Sequence, residues 1–187
     1  NSGHKMSTLT LGGSTLANKT GSVVSINDGV ILPAGTVLQV QTTINTTLNV
    51  LSASTNERDT GISVSLTPKI SGSKILIMAD LSTSVNGATG LGLFIKRTGP
   101  STTNLQVGSS GTHPYGKAFY YSGLSTQDSA VWSATGNFTD TAQDASTAHV
   151  YTIYIKTNNS YAVGINRREG DTFWGSTTSI IAMEIKA

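Results

Sequence analysis

The closing stretch, Ser179-Ile180-Ile181-Ala182-Met183-Glu184-Ile185-Lys186-Ala187, constrains the fold more than any other part of the chain. A terminus frays unless tertiary structure holds it, and this one is strongly apolar. Side chains alternate across a strand, so Ile181, Met183 and Ile185 share one face while Ile180, Ala182 and Glu184 share the other. One face is wholly apolar and the second is apolar for part of its length, which predicts an interior strand. A chain that closes this way, with no evident catalytic constellation, predicts a β-sandwich serving as a structural or binding module.

Composition supports a β fold. Charged residues make up 12% of the 187, about half the ~25% usual for soluble domains, so polar surface has to come from hydroxyls and amides. Thr favours strands, Gly and Asn favour turns, and all three are mediocre or poor in helix interiors. At 19.4 kDa the chain suits one ordinary domain with a short appendage. Twelve basic residues stand against ten acidic ones, and no basic run exceeds a pair such as Arg167-Arg168. That distribution lacks the concentrated basic footprint of a nucleic-acid partner. Cysteine is absent, so disulfides contribute nothing. The longest purely apolar run, Ile75 to Ala79, is far short of the ~20 residues of a membrane helix, and no membrane insertion is expected.

Residues 1–6 read as a cloning remnant, with Met6 following Asn1-Ser2-Gly3-His4-Lys5. Residues 7–35 form an extended, thinly apolar N-terminal segment that cannot close a core alone. It packs on the main domain, winds with copies of itself, or is a leader or shaft end severed from a longer parent. Residues 36–187 form the head domain. Strand signals recur there at sandwich or barrel spacing: Val37 to Thr42, Ile62 to Thr67 stopped by Pro68, Lys74 to Leu81, Leu91 to Arg97 after an Asn86-Gly87 turn, Ala148 to Lys156, Tyr161 to Asn166, and the closing strand. Ala118–Ser122, Ala130–Ser133 and Gly136–Thr139 are shorter candidates, Gly99 to Gly116 reads as an extended loop, and Ile44 to Asn56 has room for one helical turn. Roughly eight or more strands and almost no helix are expected.

Three segments, Leu32 to Val40, Thr60 to Pro68 running into Ser73-Lys74-Ile75-Leu76-Ile77, and Ser179 to Ala187, resemble the C-terminal head domains of bacteriophage tail fibres and related virion fibres. Thr8-Leu9-Thr10-Leu11-Gly12-Gly13 is similar to fibre shaft sequence. The resemblance implies an all-β, jelly-roll-like (C1q/TNF-like) antiparallel β-sandwich that is homotrimeric, with each terminal strand near the trimer axis. It implies a non-enzymatic virion protein, assembled in the host cytoplasm and exposed on the particle. Its partners would be its own copies, the rest of the virion fibre, and a host cell-surface polysaccharide or outer-membrane receptor. A head fibre or capsid decoration knob, and a polysaccharide-cleaving spike, are the alternative functions.

Chemistry-bearing residues fit binding better than catalysis. No Gly-x-Ser-x-Gly elbow accompanies His113 or His149, and His149 reads as a satisfied strand histidine. His113 from three chains converging on an axis would make a metal site, but the chain itself specifies no metal or other cofactor. Asp128, Asp140 and Asp144 lie in Ser/Thr/Gln-rich stretches where Asp serves turns. Aromatic residues are only 6% of the chain, so their placement is informative: they either plug the sandwich ends or stack on sugar faces. The receptor-binding candidates are Tyr115, His113, Trp174, Arg167, Arg168 and Tyr121.

Overall fold

The computed structural model describes residues 7–11, 14–20, 23–26, 32–85, 87, 89–105, 116–121, 131–168 and 175–187. Among the described residues there is no helix, and every strand pairing is antiparallel. The chain divides into two compact units, Asn1–Ala34 and Gly35–Ala187. In the first, β1 (Ser7–Leu11), β2 (Ser14–Thr20) and β3 (Val23–Ile26) form one sheet in that order.

The second unit is a β-sandwich. One sheet is built on β7 (Lys74–Val85), which is flanked on one side by β11 (Trp132–Thr141) and on the other by β14 (Thr178–Ile185) and then β13 (Val163–Ile165). β4 (Val37–Asn45) pairs with β14, and β5 (Asn49–Leu51) pairs with β13. The facing sheet runs from β6 (Arg58–Leu66) through β12 (His149–Thr157) to β8 (Thr89–Thr98), whose outer edge takes β9 (Thr103–Leu105) and β10 (Lys117–Tyr121). The core lies between the sheets, where Ile75, Ile77, Ile180 and Phe138 meet Leu93, Tyr151, Ile153 and Val64. Alternation explains which residues enter it: β6 buries Ile62, Val64 and Leu66 and leaves Gly61 and Ser65 exposed, and Pro68 follows its end.

Several elements differ from the sequence reading. The candidates Ala130–Ser133 and Gly136–Thr139 are not separate strands: Trp132 to Thr141 is one continuous strand, β11, and Ala130 lies outside the described residues. Gly136, the first residue of the second candidate, lies inside this strand. It marks a close approach, because a Cβ there would lie 2.7 Å from the Phe138 ring, which folds back over it. The Gly99–Gly116 loop contains the strand β9. No helical turn forms over Ile44–Asn56; Asn45 and Asn49 turn the chain through side-chain bonds, the Asn45 Oδ1 accepting from the Thr47 N–H at 3.0 Å and the Asn49 Oδ1 from the Val50 N–H at 2.8 Å. Asp140 lies in a strand, not a turn.

The closing strand is interior, between β4 and β7, and the face that carries Glu184 is the one that meets the core. Ile180, Ala182 and Glu184 point into the sandwich, while Ile181, Met183 and Ile185 face outward. Glu184 is fully buried. Its carboxylate accepts from the backbone N–H groups of Lys69 (2.9 Å) and Ile70 (3.0 Å), the Ser73 hydroxyl (2.7 Å) and the Gln39 amide (2.7 Å). Burial alone would raise its pKa; the Lys69 N–H, the Gln39 and Ser73 side chains and the Ile70 N–H outweigh it and hold the carboxyl below its ordinary value. A depressed folded-state pKa stabilises fully above the unfolded value of about 4.3, and that contribution is lost as pH falls through the folded value. Glu184→Gln sets an amide NH2 against these donors and should cost roughly 2–3 kcal/mol at pH 7. Urea unfolding from pH 7 down to pH 3 should show the variant's deficit shrinking below about pH 4.3; a deficit independent of pH would show that the charge is not what the donors hold.

Candidate functional site

The register of the strands sorts the second unit into two ends. β7 runs from Lys74 to Val85 and β8 leads back from Thr89, so the β7–β8 turn marks one end and Lys74 the other. Lys74 is paired with Ile185, and Lys186 exchanges backbone bonds with Gly35 and Thr36. The unit therefore receives the chain at the Lys74 end, opposite the β7–β8 turn.

Of the six sequence candidates, His113, Tyr115 and Trp174 lie outside the described residues. Tyr121 ends β10 and pairs with Thr89; its side chain also lies outside the description. Arg167 and Arg168 are half-buried. The Arg167 carbonyl accepts from Ser84 Oγ at 3.0 Å, its Nε donates to the Arg168 carbonyl at 3.0 Å, and its backbone bridges Gly175. Arg167 and Tyr121 are thus brought to the same end of the sandwich, at the β7–β8 turn.

Asn166 fixes that end. Its φ of 57° is left-handed, a conformation Asn tolerates better than most side chains. The buried amide donates to the carbonyls of Asn45 (2.8 Å) and Thr47 (3.2 Å) and to Asn45 Oδ1 (2.9 Å), and its oxygen accepts from Thr178 Oγ1 at 2.7 Å. These bonds lock the turn after β13 to the β4–β5 connection, setting the backbone from which Arg167 projects. Asn158 works beside it, accepting from the Gly90 N–H at 2.6 Å and bonding the Thr89 hydroxyl.

The opposite end carries the more elaborate side-chain chemistry, and the sequence reading missed it. Arg97 of β8 and Asp140 of β11 form an ion pair between the two sheets, with Arg97 Nη1 at 2.9 and 3.1 Å from the carboxylate oxygens. Arg97 is 3% exposed. Its Nη2 donates to Ser101 Oγ at 2.7 Å, which donates in turn to Gln143 Oε1 at 3.0 Å. The Tyr151 phenol donates to Asp140 Oδ2 at 3.1 Å, and burial together with the Asp140 charge pushes its pKa far above the ordinary tyrosine value. Lys74, Arg97, Thr139, Asp140, Thr141, Ala142 and Gln143 line a cleft of about 520 Å³.

His149 is next to this network and is already committed. Its Nε2 accepts from the Gln143 N–H at 3.3 Å and its Nδ1 lies 2.9 Å from the Thr147 carbonyl, so the hydrogen bonds assign a neutral Nδ1–H ring. Asp144 caps the adjoining turn, accepting from the Ser146 and Thr147 N–H groups at 2.8 and 2.6 Å; those bonds lower its pKa. The turn role expected of Asp144 is the one observed, and Asp128 lies outside the described residues. No cluster of three or more His, Cys, Asp or Glu able to hold a metal occurs among the described residues.

Removing one partner of the Arg97–Asp140 pair strands the other in the interior. Asp140→Ala should lower the unfolding free energy by about 3–5 kcal/mol, whereas Asp144→Ala should cost far less. Chemical denaturation of both variants checks the contrast, and an Asp140→Ala loss under 1 kcal/mol would mean that solvent reaches the pair. Comparison with protein-family models and with curated proteins gives no match, so the functional reading rests on the geometry of this chain.

Proposed function

We propose that Gly35–Ala187 is the non-enzymatic attachment head of a virion fibre of the phage tail-fibre type. On this reading it is a jelly-roll-like homotrimer, displayed on the particle, that binds a host-surface polysaccharide or outer-membrane receptor. The observation that carries the reading is the outward face of the β4–β14–β7 sheet. Partners in an antiparallel ladder point to the same side, so Val40, Met183 and Leu76 form one row across that face, and Thr42, Ile181 and Met78 form the next. Val37 lies beside Ile185 and Ile44 beside Ser179. Val37, Val40 and Ile44 are 48%, 47% and 68% exposed. The solvated face of an antiparallel sheet is ordinarily polar; a contiguous apolar face marks an interaction surface.

Copies of the same chain are the occupants that fit. Between Lys74 and Asp80 at its corners the face presents no charge with which to select a different partner, and the strand at its centre is the terminal one that the resemblance places at a trimer axis. Three heads on one rigid trimer would convert individually weak surface contacts into avid attachment through effective concentration. Arg167, Arg168 and Tyr121 support a contact role because they lie at the end remote from Gly35. His149, bonded at both ring nitrogens, supports a non-enzymatic reading.

Light scattering on a sizing column, at two concentrations, should give three times the 19.4 kDa chain mass. Val40→Lys with Ile44→Lys places two charges on the face and should yield a monomer whose own stability falls by less than about 1 kcal/mol, since both side chains are exposed. On an array of bacterial surface polysaccharides, the trimer should bind and the charged monomer should lose most of its retention. A wild-type monomer would overturn the shared-face reading. A trimer that binds no bacterial envelope component and does not block virus adsorption would point to a capsid decoration or head-fibre knob.

A further inference from the structure

The cleft at the Lys74 end is lined by an arginine that carries one donor no described residue engages. Arg97 lines it with both terminal nitrogens engaged, yet its buried Nε has no hydrogen-bond partner among the described residues. An unpaired buried donor is costly, and a charged one more so. Lys74 is exposed on the same cleft, and its ammonium enters no ion pair among the described residues. The one acid among the described lining residues, Asp140, is already taken by Arg97 Nη1 and the Tyr151 phenol. With Lys74 and Arg97 set against Asp140, the lining keeps one unbalanced positive charge.

The rest of the lining defines what accompanies that charge. Thr139 and Thr141 bring hydroxyls, Gln143 brings an amide, and Ala142 is the one apolar residue of the described lining. Such walls recognise a ligand by hydrogen bonds and charge, since the described lining has neither an aromatic platform for stacking nor an apolar floor. A volume of about 520 Å³ falls within the range of small-molecule sites and exceeds what a bare inorganic anion fills.

We propose that this cleft binds a hydroxylated small molecule bearing a single oxyanion, a carboxylate- or phosphate-carrying sugar. The oxyanion sits between Lys74 and the Arg97 Nε–H, and the sugar hydroxyls face Thr141 and Gln143. An Nε–H beside an ammonium suits an oxygen anion, because charge-assisted hydrogen bonds are roughly twice as strong as neutral ones. The site is complete within one chain and stands whether or not the attachment reading holds. It lies at the end opposite Arg167 and Tyr121, so it is a second site and not part of the end assigned to attachment.

The arginine Nε–Hε resonances of the full chain, followed by nitrogen-15 NMR, report on the site directly, and Arg97→Lys identifies the Arg97 signal while keeping the charge. Glucuronate, glucose 6-phosphate and glucose are titrated separately up to tens of millimolar, the concentration range of weak single-site binding. The Arg97 signal should move saturably with at least one of the two acids and not with glucose; which acid moves it distinguishes the carboxylate from the phosphate source. Lys74→Ala, at an exposed position, should weaken that binding about fivefold, and Lys74→Arg should restore it. An Arg97 signal unmoved by either acid, an equal response to glucose, or unchanged affinity in Lys74→Ala would overturn the proposal.

Discussion

The second unit depends on a carboxylate buried without exposure to water. Glu184 points inward from the closing strand because four donors from β4 and the β6–β7 connection meet it there. A strand's side chains alternate strictly, so a shift of one residue would exchange its two faces. That exchange would bury Ile181, Met183 and Ile185 and release Glu184 to solvent, which hydrophobicity alone favours. The observed register wins because the donors are fixed in place: the Lys69 and Ile70 N–H groups, the Ser73 hydroxyl and the Gln39 amide converge on one carboxylate, and an apolar side chain at that position would accept from none of them. The bulge between Glu184 and Ile185 opposite β4 accommodates this choice, bringing Gln39 against the carboxylate and Val37 beside Ile185.

The outward apolar face follows from that choice. Once Glu184 is anchored inside, three large side chains of the same strand have nowhere to go but out, and Val40 and Leu76 extend their surface across the neighbouring strands. Exposed apolar area is tolerated in small amounts, but here it is contiguous over three strands. Burial against another protein recovers about 25 cal/mol per Å², so a closing strand that turns its carboxylate inward and Ile181, Met183 and Ile185 outward gains from a partner over that face. This links an intramolecular hydrogen-bond network to the proposed trimer.

Strands whose hydrophobic period is intact were legible from sequence: β6, β12 and β14 follow simple alternation, and β7 is long and apolar enough to stand out. The inward face of β14 was not, because alternation defines two faces without saying which one meets the core. β11 reads from sequence as two short candidates parted at Ala134-Thr135, because its hydroxyl, amide and glycine residues give no long apolar alternation; the Phe138 ring lying over Gly136 explains a glycine inside the strand. Asn166 resembled an ordinary strand-end residue; its left-handed backbone and its bonds to Asn45 and Thr178 join positions far apart in sequence. Arg97 and Asp140 were hidden for the same reason, since nothing local to either residue announces a partner on the opposite sheet. Arg167 was legible as one of a basic pair, but its place at the β7–β8 end is a product of β13 pairing with β7.

The buried carboxylate and the proposed cleft belong to one physical system. Ser73, which donates to Glu184, also accepts from the Ala142 N–H at 2.9 Å, and Gly72 donates to the Ala142 carbonyl at 2.9 Å. The turn that satisfies Glu184 therefore holds the segment carrying Ala142 and Gln143 in place along the cleft. Lys74 follows directly from that turn; it lines the cleft and also stands opposite Ile185 at the corner of the apolar face. A copy packed on that face would lower the local dielectric near the Lys74 ammonium and make its unpaired charge more costly. An oxyanion in the cleft would relieve that cost, so assembly and ligand binding, if both occur, should favour one another through Lys74. The coupling would be reciprocal, as any equilibrium linkage between two binding events must be.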